Sequence, residues 1–234
     1  MNVLPHAAPD AETRLSALSE ATGVPLDAQQ RAQLGAYVAL LQKWNAVYNL
    51  TAVRGVEEIW QLHVADCLAA APAYAAEQQR LSMLLPDRVS GSMRILDVGS
   101  GGGLPAVILA IVYRWARVTA CDAVAKKCAF VRQAAGELAL ERLAVIHARA
   151  ETLHGEYDIV TSRAFSDLST FVRLTAHLRA PRGVWLAMKG TPPSQEIEAL
   201  QAQQPGLAAE VMPLRVPGLA AQRCIVRITH RGAP

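Results

Sequence analysis

Two hydrophobic periods divide this chain. In residues 26–48, Leu34, Val38, Leu41 and Tyr48 fall on one helical stripe with Leu40 and Trp44 beside it, behind a capping side chain at Asp27. The spacing predicts an amphipathic helix. A second helical pattern covers about residues 57–76, where Ile59, Trp60, His63 and Cys67 recur at three and four residues, and the stretch 78–92, polar and carrying Pro86 and Gly91, reads as a link. From residue 94 the period shortens. Apolar runs at 94–98, 117–121, 143–147, 157–161, 183–188, roughly 211–216 and 223–229 predict strands, with helices between them. The last connection, 216–222, is too short for a helix, so the final pair must be antiparallel, because parallel neighbours need a crossover of a dozen or more residues. The expected organisation is a helical region with its linker over residues 1–90 and an α/β domain over 91–234, a mostly parallel, doubly wound sheet with one antiparallel strand.

Composition narrows the class without naming a function. A chain of 234 residues, 52% hydrophobic and 18% charged, has ample material for a continuous core. Its longest apolar stretch, 104–113, is about half the roughly 20 residues a membrane helix needs. The opening MNVLPHAAPDAETR has neither the basic start nor the apolar run of a secretory signal, so a cytoplasmic protein without a membrane partner is expected. Cys67, Cys121, Cys128 and Cys224 show no C-x-x-C pairing and read as reduced core residues, with no metal site expected. Charge is uneven. Residues 1–90 hold six Lys or Arg against nine Asp or Glu, and residues 91–234 hold seventeen against eleven. The positive excess lies in the α/β half and favours a polyanionic partner there.

The chemistry concentrates where the first strand ends. Arg-Ile-Leu-Asp-Val runs into Gly-Ser-Gly-Gly-Gly-Leu-Pro at residues 94–105, and Asp122 closes the next apolar run. Glycines after a buried strand let the backbone turn tightly and approach a ligand closely. Gly101, Gly103 and Ala106 fit the dinucleotide pattern G-x-G-x-x-G/A, while Gly99, Gly101 and Gly103 fit the spacing of S-adenosylmethionine (AdoMet) enzymes. Spacing does not separate these cofactors, but charge favours one. Asp97, two residues before the first glycine, repels a pyrophosphate and suits a ligand carrying an ammonium and a sulfonium. The strand order, ending in an antiparallel pair, is that of a class I AdoMet-dependent methyltransferase, and a dehydrogenase would need a further substrate domain for which no residues remain.

The chain resembles the RsmG family, also called glucose-inhibited division protein B, whose members methylate guanine N7 in 16S ribosomal RNA. The resemblance rests on Lys43-Trp44-Asn45 with Tyr48-Asn49-Leu50-Thr51, on His63 and Asp66, on Asp97 to Pro105, on Ser162-Arg163-Ala164 and on Met188-Lys189-Gly190. It covers nearly all of the chain and implies AdoMet as cofactor and 16S rRNA or the small ribosomal subunit as partner. Departures are Gly102 where the family often has Pro, Ala106 for Gly, Leu62 for Arg and Cys67 for Ser; Leu62 removes a phosphate contact beside His63. A nicotinamide-dependent oxidoreductase and a non-catalytic ribosome-binding factor on a methyltransferase fold are the competing readings.

Individual residues divide by what supports them. Asp122 ends a strand where its carboxylate can take both ribose hydroxyls or simply cap a helix. The resemblance puts Gly99 and Leu104 at the cofactor and Ala150 and Glu151 at the adenine. Arg163 follows the fourth strand, beside the transferred methyl in class I enzymes. It can position guanine O6 or a phosphate, bind the cofactor as the resemblance implies, or form a surface ion pair. Guanine N7 has a free lone pair and no proton to lose, so the reaction needs orientation and no general base. Lys189, at the carboxyl edge of the fifth strand, is a candidate RNA-phosphate contact. His63 and Asp66, three apart on one helix face, are assigned to closing the site. Trp44 and Tyr48 either stack on an unpaired base or belong to the core.

Overall fold

The computed structural model describes residues 9–84 and 93–232. Seven strands form one sheet in the order β3-β2-β1-β4-β5-β7-β6. They are β1 (Arg94–Val98), β2 (Arg117–Asp122), β3 (Leu143–His147), β4 (Tyr157–Arg163), β5 (Arg179–Lys189), β6 (Leu207–Leu214) and β7 (Arg223–His230). Strands β1 to β5 pair in parallel, and β7 runs antiparallel between β5 and β6. The expected single antiparallel strand is therefore β7.

Alternation along the strands builds two cores. Ile95, Ile159, Val184 and Leu186 face one side, and Leu96, Val160, Trp185 and Ala187 face the other. The first side carries α5 (Ala106–Val112) and α6 (Ala125–Glu137), the second α7 (Leu168–Thr175) and α8 (Ser194–Gln203). Helix α5, AVILAIV, is apolar all round because it lies between the sheet and a further helical layer. That layer is α1 (Pro9–Thr22), α2 (Ala28–Tyr48) and α4 (Asp66–Leu84), whose Leu15, Leu34 and Leu68 share one core cluster with Val107 and Ile108 of α5. The helical region and the sheet thus bury one another's apolar faces.

Helix α2 starts where expected. The Asp27 carboxylate accepts from the Gln30 amide at 2.8 Å, and the Gln30 side chain accepts from the Asp27 amide at 2.9 Å, a reciprocal capping box. Two buried glutamines of this helix then satisfy carbonyls that other helix ends leave open. Gln30 donates to Ile111 and Val112 O, each at 3.0 Å, and Gln33 to Leu138 O at 2.8 Å.

Several expectations are corrected. Helix α1 had no counterpart in the reading, since among its described side chains only Leu15 and Leu18 are buried. The second helical pattern begins with α3 (Val56–Ile59), passes through a π-helical segment, Trp60–Ala65, and continues as α4 to Leu84, so residues 78–84 of the expected linker are helical and 85–92 lie outside the described residues. The connection from β3 to β4 holds only the 3-10 turn Ala150–Thr152, and β6 starts at Leu207, earlier than expected, on alanines with little apolar contrast. Among the described residues no helix is long and apolar enough to cross a membrane.

The Tyr37 hydroxyl, fully buried on α2, donates to Gly102 O at 2.5 Å and pins the glycine loop to the helical layer. Tyr37→Phe leaves that carbonyl unpaired, at a cost of about 1–3 kcal/mol. The expected result is a lower urea midpoint with an unchanged slope, and an unchanged midpoint would show that this bond contributes nothing.

Candidate active site

The carboxyl edge of the central strands is shaped by the loop after β1. Gly99 and Gly103 take φ of +71° and +84°, and a Cβ on them would stand 2.7 Å from a Phe165 ring carbon and 2.5 Å from a Val107 methyl. Only glycine fits both positions. The Gly99 and Ser100 amides donate to Cys121 O at 2.8 and 3.0 Å, locking the loop to the end of β2.

Two carboxylates brace this loop from opposite sides. Asp97 is fully buried beneath it, where Oδ2 accepts from the Ser100 hydroxyl and, at 3.2 Å, from the Ala106 amide. Its Oδ1 is buried with no hydrogen-bond partner. Burial pushes the Asp97 carboxyl up to about 6, against the Ser100 and Ala106 hydrogen bonds. Asp122 accepts from the Gly101 amide through Oδ2 at 2.9 Å and from the Val124 amide through Oδ1 at 2.8 Å, with Lys127 Nζ at 4.0 Å. It therefore caps and braces, and each oxygen retains acceptor capacity.

Two cavities open along this edge. The first, about 320 Å³, is lined by Gly99, Asp122, Lys127, Ala150, Glu151 and Phe165 among others. It brings together four of the expected cofactor residues from the ends of β1, β2 and β3. Asp97, Gly101, Gly103, Leu104 and Arg163 do not line it; Asp97, Gly103 and Leu104 are buried, the glycine and leucine shaping the loop from behind, and Arg163 lines the second cavity. The second, about 410 Å³, is lined by Leu62, His63, Asp66, Arg163, Lys189 and Arg223 among others, and Ala164 lines both. Ala164 sits in the left-handed region at φ +56°, an unusual conformation for a residue with a Cβ, held at the junction of the two cavities.

Arg163 is the hub of the second cavity. From the end of β4 it reaches the π-helical segment, donating through Nη1 to Leu62 O at 2.9 Å and Asp66 Oδ2 at 3.3 Å and through Nη2 to His63 Nδ1 at 3.1 Å. His63 Nδ1 also stands 2.9 Å from Leu62 O, and its Nε2 pairs with Thr51 Oγ1 at 2.7 Å. Burial and the Arg163 charge push His63 down to about 4, leaving it neutral at pH 7. Burial raises the Asp66 carboxyl against the pull of Arg163 and Arg223. The surface ion pair considered for Arg163 is thus replaced by a part-buried one.

Other expected residues are distributed less simply. Lys189 lines the cavity, yet its Nζ donates to Ser166 O at 2.9 Å and Glu196 at 2.7 Å. Trp44 packs between Phe130 and Tyr48, with ring centroids 5.6 and 5.0 Å away, whereas Tyr48 is 43% exposed. The sequence reading missed Arg223. Because β7 is antiparallel, its first residues lie at the edge where the parallel strands end, Cys224 opposite Lys189. Among the described residues no group of three or more His, Cys, Asp or Glu is placed to hold a metal ion.

The sheet order with its single reversed strand, the glycine loop after β1 and the acid closing β2 define a class I AdoMet-dependent methyltransferase. The fold is shared with magnesium protoporphyrin IX methyltransferase from Synechocystis PCC 6803, crystallised with bound SAM. That likeness has a TM-score of 0.53 at 15% identity and covers 96% of this chain and 99% of the other. Sequence narrows the class. The family model for rRNA small subunit methyltransferase G matches residues 30–226, and the chain belongs to that family. Ribosomal RNA small subunit methyltransferase G of Acidovorax sp. (strain JS42) is 49% identical over 187 residues, 79% of this chain and 80% of the relative. The protein of that name from Leptothrix cholodnii is 45% identical over 198 residues, 83% and 84% of the two chains. The resemblance read from the motifs is borne out, and the oxidoreductase and binding-factor readings find no support.

The buried Asp97 makes a pH-dependent contribution to stability. Its folded value of about 6 lies above 3.8 for the free carboxyl, so the folded state holds the proton more tightly, and stability falls as pH rises from about 4 to about 6. The full loss is about 3 kcal/mol. Measured by urea unfolding at pH 4, 5, 6 and 7, the difference between wild type and Asp97→Asn should change over this window; a constant difference would place the Asp97 ionisation elsewhere.

Proposed function

We propose that this protein methylates guanine N7 in 16S rRNA of the small ribosomal subunit, in the cytoplasm, with AdoMet as donor. The observation that carries the reading is the junction at Ala164, where a cofactor-sized cavity beside the glycine loop meets a cavity whose ionisable groups lie in opposed pairs. His63 is neutral with both ring nitrogens bonded, Lys189 is paired with Glu196, and Asp66 faces two arginines. Neither His63 nor Lys189 is poised to abstract a proton, which suits a nucleophile with a free lone pair and nothing to lose.

The residues at the first cavity fit the cofactor chemically. Beneath the loop that borders this cavity, Oδ1 of Asp97 is buried and lacks a hydrogen-bond partner, and its charge is complementary to the methionine ammonium. The spare acceptor capacity of Asp122 suits the ribose hydroxyls, Ala150 and Glu151 suit the adenine, and the bare backbone at Gly99 admits the chain between them, with Gly101, Gly103 and Leu104 shaping the loop behind it. AdoMet supplies an electrophilic methyl on a sulfonium. The protein's part is placement: Arg163 holds guanine O6 so that the N7 lone pair points at the methyl, and His63 and Leu62 O hold Arg163. Residues 91–234 form the methyltransferase domain, and the helices of residues 1–90 close the site and guide RNA. An unpaired loop guanine is the target, since its edges are accessible. Lys189 engages phosphate by exchanging its Glu196 partner.

The test is transfer of labelled methyl from AdoMet to small subunits from cells lacking this activity, followed by nucleoside analysis. Labelled N7-methylguanosine at one site is expected. Label in another nucleoside would discard the base assignment, and no transfer to subunits or free rRNA would discard the activity. Asp122→Ala should weaken AdoMet binding about 10- to 100-fold, through loss of charged hydrogen bonds. AdoMet affinity should also rise between pH 5 and 7 and then level off, as Asp97 ionises near 6. Calorimetry reads both, and a flat pH profile would separate Asp97 from the ammonium.

A further inference from the structure

We infer that Asp66 reads the base, selecting guanine through its N1–H and exocyclic amine. The inference rests on guanine as the target, as proposed above, and adds the residue that recognises it. Asp66 is only 4% exposed, yet it lines the second cavity, and its Oδ1 is buried without a hydrogen bond. An ionised carboxylate with an unused oxygen beside a substrate cavity calls for a donor. The group nearest that oxygen is Arg223, whose Nε stands 3.4 Å away without hydrogen-bond geometry and whose side chain is 24% exposed at the start of β7.

The chemistry of that neighbour identifies the ligand edge. The N1, C2 and exocyclic N2 of guanine are a guanidine fragment, so a carboxylate that faces an arginine guanidinium is also matched to the guanine edge. In the free protein Arg223 occupies the position of that edge, and it yields when RNA enters, taking phosphate instead. The neighbour on the other side completes the match. Arg163 Nη1 lies 3.3 Å from Asp66 Oδ2, so the cavity presents a cationic donor directly beside an anionic acceptor. Guanine presents the complement, the acceptor O6 beside the donor N1–H. Adenine presents the reverse order, an exocyclic amine beside an acceptor N1, and meets donor with donor. With O6 on Arg163 and N1–H and the amine on Asp66, N7 lies on the far side of O6 and stays unbonded. The same pair thereby excludes adenine and leaves the reacting lone pair free.

The test removes one donor from the base and, separately, the acceptor from the protein. The probe is a 16S rRNA fragment assembled by ligation with either guanosine or inosine at the methylated position; inosine keeps O6, N1–H and N7 and lacks only the exocyclic amine. Wild type should methylate the guanosine substrate with kcat/KM about 10-fold or more above the inosine substrate. Asp66→Asn should lower activity on guanosine and bring that ratio close to one, while AdoMet affinity, read by calorimetry, is retained. A wild-type ratio near one overturns the inference, and that comparison needs no variant. An equal loss on both substrates in Asp66→Asn, with the wild-type ratio preserved, overturns it as well and reduces Asp66 to an anchor for Arg163. Absence of N7-methylguanosine in wild type would instead reject the target base itself.

Discussion

The contact on which the site depends is the insertion of the Arg163 guanidinium from β4 into the π-helical segment. Isolated burial of a guanidinium is costly, so its partners determine whether it stays. Here Leu62 O, His63 Nδ1 and Asp66 Oδ2 all come from one stretch of five residues. A π-turn widens the hydrogen-bond register and presents a carbonyl that a regular helix would consume. The helical region is held against the sheet edge by hydrophobic burial over α5, but the position of the cavity wall, to within a side chain, is set by this cation. Removing any one partner leaves the charge short of acceptors in a place that water reaches poorly, and this couples the helices to the chemistry of β4.

A complementary constraint acts at the glycine loop. Asp97 below and Asp122 beside it hold the loop through amide and hydroxyl donors, so the loop's shape is imposed by two anions and not by the glycines, which only permit it. The protein carries a buried carboxyl with an unmatched oxygen, a mismatch that the cationic ligand group of the proposed function would relieve. The site is therefore less stable empty than its packing would allow, a common cost of a preformed binding site.

Strands and loop chemistry were legible because both are local. Alternation and short apolar runs located the seven strands, and the 216–222 connection forced the reversed pair by length alone. Gly99, Gly103 and Asp122 announced themselves by spacing. What remained hidden depends on distance in sequence or on small contrasts. Arg163 meets its partners about a hundred residues away, and nothing near it distinguishes a buried hub from a surface ion pair. Arg223 was hidden by topology, since a strand's first residue reaches the ligand edge only when the strand is reversed. The π-segment was invisible because His63 and Asp66 share a face in either helical register. Helix α1 shows too few buried residues to stand out, and the early part of β6, Leu-Ala-Ala-Glu, lacks the contrast that marked the others.

Charge flow explains why the second cavity is built from paired groups. In the proposed methyl transfer to a ring nitrogen, positive charge leaves a sulfonium and appears on the base, so the net charge is conserved while its centre would move from the first cavity toward the second. A cavity lined by unopposed Arg163, Lys189 and Arg223 would resist that movement, by about 4 kcal/mol per unit charge at 4 Å under an effective surface dielectric. Each of these cations instead faces a carboxylate, Asp66 for both arginines and Glu196 for the lysine. Under the proposed function the cations exchange these partners for phosphate and base oxygens, and until then pairing cancels much of the field along the path of the methyl group. The arrangement reconciles two demands that oppose each other, attraction of a polyanion to the cavity mouth and tolerance of a new cation within it.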